Sequence, residues 1–162
     1  MDFFAHAAWS YIVFHRIKKP FLAIFFGLLP DLASWFIFLI YNLISGISFG
    51  RPDLATIPPW VHTLYGISHS LIVVAVIFLI ILLLFRKIPF YLLAWPLHIL
   101  CDIPTHSRDF LPTPFLWPIS AWKFPGFSWS EPWFMITNWS IILICLIIIF
   151  IINRKNKEKI KK

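Results

Sequence analysis

Long apolar runs, broken by prolines and by small basic clusters, dominate the chain. Residues 3–17 form a short apolar run closed by Arg16, Lys18, Lys19 and Pro20. It predicts a helix too short to cross a bilayer alone, because a span takes about 20 residues. Residues 21–47 are apolar enough to span, but Gly27 and Pro30-Asp31 interrupt them. Proline removes a ladder donor and crowds the preceding turn, so a kink or break is expected there. Residues 46–62, with Gly46, Gly50, Arg51, Pro52, Asp53, Pro58 and Pro59, predict a loop.

The cleanest span is Ile67–Phe85, which contains LIVVAVIFLIILLLF and ends at Arg86-Lys87. Residues 88–103 predict a further helix, interrupted by Pro96 and stopped by Pro104. Residues 104–132, with TPFLWP and FPGFSW, predict a long loop. Structureless stretches of that size usually serve as lids or binding loops. A last span runs from Trp133 to Ile152, and no internal repeat is found. The pattern predicts an all-α, multi-pass transmembrane bundle of about four to five helices with a long aromatic outer loop. Trp117, Trp122, Trp129 and Trp133 suit a membrane–water interface.

Composition narrows the class. Of 162 residues, 60% are hydrophobic, 19% aromatic and 13% charged, against about 45–50% apolar and about 25% charged in soluble domains. This excludes a soluble globular domain, a disordered chain, a collagen-like or disulfide-stapled chain and a nucleic-acid module with a basic face. Cys101 and Cys145 sit inside apolar runs, where free cysteine behaves as a small hydrophobe. The opening Met1-Asp2-Phe3-Phe4 has no basic n-region, so no removed signal peptide is expected.

The formal net charge is +7, unevenly placed. Residues 154–162 carry six bases, Arg154, Lys155, Lys157, Lys159, Lys161 and Lys162, against Glu158, which is +5 of that total. The organisation expected is a transmembrane domain over 1–153 and a basic cytoplasmic tail over 154–162. The tail has no interleaved aromatics for base stacking, so no nucleic-acid partner is expected; the lipid bilayer is. Arg16/Lys18/Lys19, Arg86/Lys87 and the tail fall at alternate connections, which places them on the cytoplasmic side of the cell (inner) membrane. Loops 46–62 and 104–132 then face outward.

Ionisable groups inside spans are expensive and mark candidate sites. His6, Asp31, His69, His98 and Asp102 are such groups, and His106 follows closely. Counting helical rise from the basic flanks puts His6, Asp31, His69, His98 and Asp102 at about 15, 18, 25, 16 and 22 Å from the cytoplasmic edge. The helices alternate in direction, yet the groups share a mid-to-outer layer. His98 and Asp102 are four residues apart and lie on one helix face. Imidazole and carboxylate suit zinc, and also iron or manganese. Charge balance favours a cation: Asp31 and Asp102 have no Lys or Arg within the spans, and Arg108 lies in the loop. Each group has a plainer role open to it. His6 suits a carbonyl hydrogen bond, Asp31 a helix cap, and Ser68-His69-Ser70 a helix start. His106, Asp109 and Glu131 suit solvated loop positions, and His15 and His62 sit beside basic or loop residues.

The succession Phe4-Ala5-His6, GLLPD (27–31), GISHS (66–70), LHILCD (97–102) and FLWP (115–118) resembles the YdjM-like family of LexA-regulated, membrane-bound hydrolases predicted to depend on metal. The resemblance runs from His6 to about Trp129. It implies a remote relation to the all-α zinc-dependent phospholipase C and nuclease superfamily. By that resemblance Asp31, His69, His98 and Asp102 hold a first metal. His6 and Asp102, joined by His106 if its loop folds back, hold a second, with Asp102 bridging. Ala33 and Ser34 stand where the family's LLPD-x-D-H motif has its second acid and histidine. Leu64 and Tyr65 replace the His-Arg of its H-R-G-x-T-H-S motif.

The function implied is hydrolysis of an ester or phosphodiester, with a phospholipid among the candidate substrates. One to three divalent ions, zinc foremost, would activate water, and Asp31 would take its proton. The site would lie toward the outer face, with Phe115, Trp117 and Trp129 covering it. The alternatives are a non-catalytic membrane protein with a structural metal clip or an ion path, and a scaffold with no site. The oligomeric state stays open.

Overall fold

The computed structural model describes residues 1–47 and 54–160. The expected loop residues Gly50, Arg51, Pro52 and Asp53, and the tail residues Lys161 and Lys162, lie outside them. The described chain is all-helical, and no strand forms among the described residues.

Helix α1 (Phe3–Phe14) starts where Asp2 Oδ1 accepts from the Ala5 amide at 2.9 Å. Helix α2 (Pro20–Asp31) begins on a proline, whose missing N–H costs nothing in a first turn. The break expected at Pro30 does not form. One wide π turn, Leu32–Phe36, absorbs the proline, and α3 (Ile37–Ile44) carries the helix on. Ser34 Oγ donates to the Pro30 carbonyl at 2.8 Å and supports the turn.

The loop expected over 46–62 ends earlier. Pro59 opens α4 (Pro59–Ser68), again as a first-turn proline. The span expected from Ile67 therefore starts later, at α5 (Leu71–Phe85), bent by 54° from α4 at His69 and Ser70. Ser70 Oγ restarts the helix by accepting from the Ile72 and Val73 amides at 3.1 and 3.2 Å. Neither expected proline effect appears in α6 (Ala94–Thr105). Pro96 falls in its first turn, where no donor is needed, and the helix runs one residue past Pro104. Helix α7 (Pro132–Ile160) outruns the span expected to end at Ile152, because Arg, Lys and Glu are good helix formers.

Among the described residues two helices, Pro20–Ile44 and Pro132–Lys159, are long and apolar enough to cross a membrane, and the bent pair α4–α5 makes a third if it counts as one span. At 12 residues each, α1 and α6 are too short to cross alone. Leu79, Leu83 and Leu84 on α5 and Leu143, Ile147 and Ile151 on α7 are exposed, as lipid-facing side chains are.

Phe14, Ala23 and Ala94 pack with Ile17, Phe26, Tyr91 and Leu97. This brings the end of α1 beside the starts of α2 and α6. Phe38, Ile57, Val61, Tyr65 and Leu111 form a second cluster. The chain between α6 and α7 folds down onto the helices. Tyr65 Oη donates to Leu111 O (3.1 Å), the Leu71 amide to Phe115 O (3.0 Å) and the Trp129 amide to Thr105 O (2.9 Å). Gly126 is required there: a Cβ would sit 2.5 Å from the Pro104 carbonyl oxygen.

Candidate functional site

The bundle gathers the six sequence-predicted residues around Asp102. On α6, His98 and Asp102 stand one turn apart with His98 Nε2 3.1 Å from Asp102 Oδ2. His69, at the α4–α5 bend, brings its Nε2 to 3.2 Å from His98 Nε2 and 3.6 Å from Asp102 Oδ2. Asp31, where α2 meets the π turn, holds Oδ1 3.6 Å from His69 Nε2 and 3.8 Å from His98 Nε2. From α1, His6 Nε2 lies 2.9 Å from the other Asp102 oxygen, Oδ1. His106 follows at 3.5 Å from Oδ1 through its Nδ1, which also bonds the Asp102 carbonyl at 3.2 Å. The Met1 amino group also meets Asp102 Oδ1.

The side chains of His69 and His98 are 0% exposed, those of His6 and Asp102 2%, and that of Asp31 16%. No Lys or Arg pairs with Asp31 or Asp102 among the described residues. The Met1 ammonium is the cation paired with buried Asp102, while partly buried Asp31 faces imidazoles alone, which is costly unless a cation or protons offset its charge.

The outer hydrogen bonds fix which ring nitrogens face inward. His98 Nδ1 lies 2.7 Å from the Gly27 carbonyl, which can only accept. Nδ1 therefore carries the hydrogen, and a neutral His98 turns the Nε2 lone pair to the cluster. His69 Nδ1 is 2.9 Å from Ser68 Oγ, a contact that turns Nε2 toward the cluster, although a hydroxyl can serve as donor or acceptor to either tautomer. The His6 ring stacks on His98 at 3.6 Å, and Tyr65 lies 4.0 Å from the His69 ring. Beyond the end of α6, His106 is held neutral, with burial lowering its pKa to about 4.

Buried His/Asp groups here could hold a metal ion. The ligand atoms of His69, His98 and Asp102 lie within 4.8 Å of one another, as do those of His6, Asp31 and His98. Tetrahedral zinc, with bonds of about 2.0–2.2 Å, sets its ligand atoms about 3.3–3.6 Å apart. Of the separations in the first group, 3.6 Å meets that spacing, while 3.1 and 3.2 Å are shorter, so an ion there needs His98 to move slightly outward.

Several plainer roles resolve. Asp31 makes no capping bond, because the helix continues through it. The capping role in Ser68-His69-Ser70 belongs to Ser70, which leaves His69 for the cluster. His15 Nδ1 bonds the Ile12 carbonyl at 2.8 Å, away from the cluster. Ser34 is buried and bonds Pro30, and Tyr65 packs on His69 while its hydroxyl bonds Leu111. The residues that sequence reasoning missed are the orienting ones, Gly27 and Ser68. Ser68 had a signal in its adjacency to His69; the Gly27 carbonyl had none, since any residue carries one. Comparison of the chain with protein-family models, curated proteins and solved structures finds no match.

Proposed function

We propose that the chain is a membrane-embedded, metal-dependent hydrolase of esters or phosphodiesters, with phospholipids as a substrate class. The observation that carries this reading is the division of the Asp102 carboxylate. Oδ2 lies 3.1 Å from His98 Nε2, while Oδ1 lies 2.9 Å from His6 Nε2. A carboxylate with histidines at each oxygen could bridge two cations, the second displacing the Met1 ammonium that now meets Oδ1. In this reading Asp31, His69, His98 and Asp102 hold one ion, and His6, Asp102 and His106 a second. Zinc suits these nitrogen and oxygen donors. The similarity to the YdjM-like motifs supports the same assignment.

The chemistry that bound divalent cations supply is a more acidic water and stabilisation of charge on the attacked group. The chain's own residues do the rest. Gly27 and Ser68 hold His98 and His69 in register. Asp31, the most exposed of the acids and imidazoles facing one another, would take the proton of the attacking water on the carboxylate oxygen that the ion leaves free. Phe115 and Trp117 belong to the segment that covers the α4–α5 bend and keep bulk water out. The basic clusters Arg16–Lys19, Arg86–Lys87 and the α7 tail face the cytoplasm, and the bundle sits in the cell (inner) membrane with α1 and α6 completing its four to five membrane helices. The site then lies toward the outer face.

A structural cation clip is the second reading, and the burial of His69, His98 and Asp102 favours it. One experiment separates the two. Full chain purified in neutral detergent is assayed for metal content and for hydrolysis of a chromogenic phosphodiester, a chromogenic ester and phosphatidylglycerol. The hydrolase predicts bound zinc and turnover that Asp31→Asn removes. Bound metal without turnover on any of the three supports the clip, and no bound metal overturns both.

A further inference from the structure

Away from the histidine–carboxylate cluster, a cavity of about 460 Å³ opens between α1 and the C-terminal half of α7. Leu146, Ile149, Phe150, Asn153, Arg154 and Lys157 line it from α7. Their spacing of three and four residues makes them one stripe of the helix. The stripe changes character along its length, from three apolar side chains to an amide and then two cations. Tyr11 of α1 stands across from it. The apolar part belongs to a helix long enough to span, and the cationic part begins where the basic tail begins.

We propose that this cavity binds one anionic phospholipid. An acyl chain lies along Leu146, Ile149 and Phe150, and the headgroup phosphate meets Arg154 and Lys157. A ligand for this surface needs an apolar length and a negative end in that order, which is the layout of a phospholipid at a membrane face. Arg154 and Lys157 are three residues apart on one helix face, close enough to share one phosphate. Arg154 Nε now lies 3.3 Å from Glu158 Oε1, in a pair 73% and 63% exposed. Such pairs are weak, so exchanging Glu158 for a phosphate costs little. The net charge of +7 leaves the basic end needing anions, which a zwitterionic lipid does not supply.

The test uses full chain in neutral detergent, with phosphatidylglycerol or phosphatidylcholine added and retained lipid read by native mass spectrometry. One phosphatidylglycerol per chain is expected to be retained in preference to phosphatidylcholine. The double variant Arg154→Gln/Lys157→Gln is expected to weaken that retention roughly tenfold. Lys155→Gln/Lys159→Gln removes the same charge from residues outside the cavity and is expected to leave retention within about twofold. Arg154→Lys/Lys157→Arg keeps both charges and restores binding. Equal loss in both glutamine variants assigns the effect to diffuse tail charge and overturns the site. Equal retention of the two lipids overturns the headgroup assignment. A lipid-free dimer broken by Phe150→Ala gives the cavity to a second copy and overturns the proposal.

Discussion

Asp102 Oδ2 stands 3.1 Å from His98 Nε2 although both side chains leave the same helix, so α6 presents a ready pair of donors to whatever its neighbours bring. The other oxygen of the same carboxylate serves His6 and His106. Asp102 is therefore the residue whose loss is felt on both sides. Asp102→Ala is expected to bring bound metal below about a tenth of the wild-type level, since it removes a ligand from each set. Elemental analysis of the purified variant reads this directly. Full retention of metal would end the assignment of Asp102 as a ligand.

Asp31 has two proposed roles, a ligand of the first ion and the acceptor of the water's proton. Asp31→Asn keeps the shape and one acceptor oxygen but removes the base. Metal affinity is expected to fall, because an amide oxygen is a weaker ligand than a carboxylate, and turnover measured with the ion saturating is expected to fall roughly 100-fold to 10,000-fold, the range of general-base losses. A variant that turns over normally removes Asp31 from the chemistry.

Ser68 orients His69 through a bond to Nδ1 at 2.9 Å. Ser68→Ala leaves the imidazole in place without its outer partner. Metal affinity is expected to fall about 10- to 100-fold, as is typical when an orienting partner of a ligand is removed. Chelator competition measures it, and Ser68→Thr, which keeps the hydroxyl, should recover most of the loss.

Gly27 carries the carbonyl that orients His98, and its missing side chain lets α1 approach. A Cβ there would lie 1.9 Å from Ser10 Oγ and 2.8 Å from Ser10 Cβ. Gly27→Ala is expected to destabilise the fold by about 1–3 kcal/mol, the usual cost of overpacking, and to lower metal content by displacing His98. Thermal unfolding in detergent checks the first effect. Ser10→Gly in the same chain clears the clash and should restore both readouts. A Gly27→Ala variant with unchanged unfolding and metal content contradicts this account.

Chelation supplies an independent check. A cation that binds only the folded chain adds stability by mass action. Treatment with a strong chelator is expected to lower the unfolding temperature of wild type and to leave Asp102→Ala unmoved. Equal shifts in both proteins would mean that the chelator acts elsewhere.

Much of the fold was legible because lipid-facing helices are written in long apolar runs, and α5 and α7 are nearly unbroken ones. The prolines were less legible. Proline stops a helix only where its ring and missing donor fall in the interior, and Pro59 and Pro96 fall in first turns instead. Pro30 does lie inside, but a π turn after it takes up the strain.

The six candidate ligands could be listed from the chain because an imidazole or carboxylate in an apolar run is costly enough to stand out. Helical rise alone gave five of them, all but His106, one expected layer, and the helical period paired His98 with Asp102. Which nitrogen of each histidine faces inward, and which Asp102 oxygen serves which partner, came only with the packed bundle. Those choices rest on the Gly27 carbonyl, 71 positions from His98, and on the bend at His69–Ser70 that carries His69 and its neighbour Ser68 to the cluster. Local patterns record burial and period, but a donor geometry exists only once separate helices have been brought face to face.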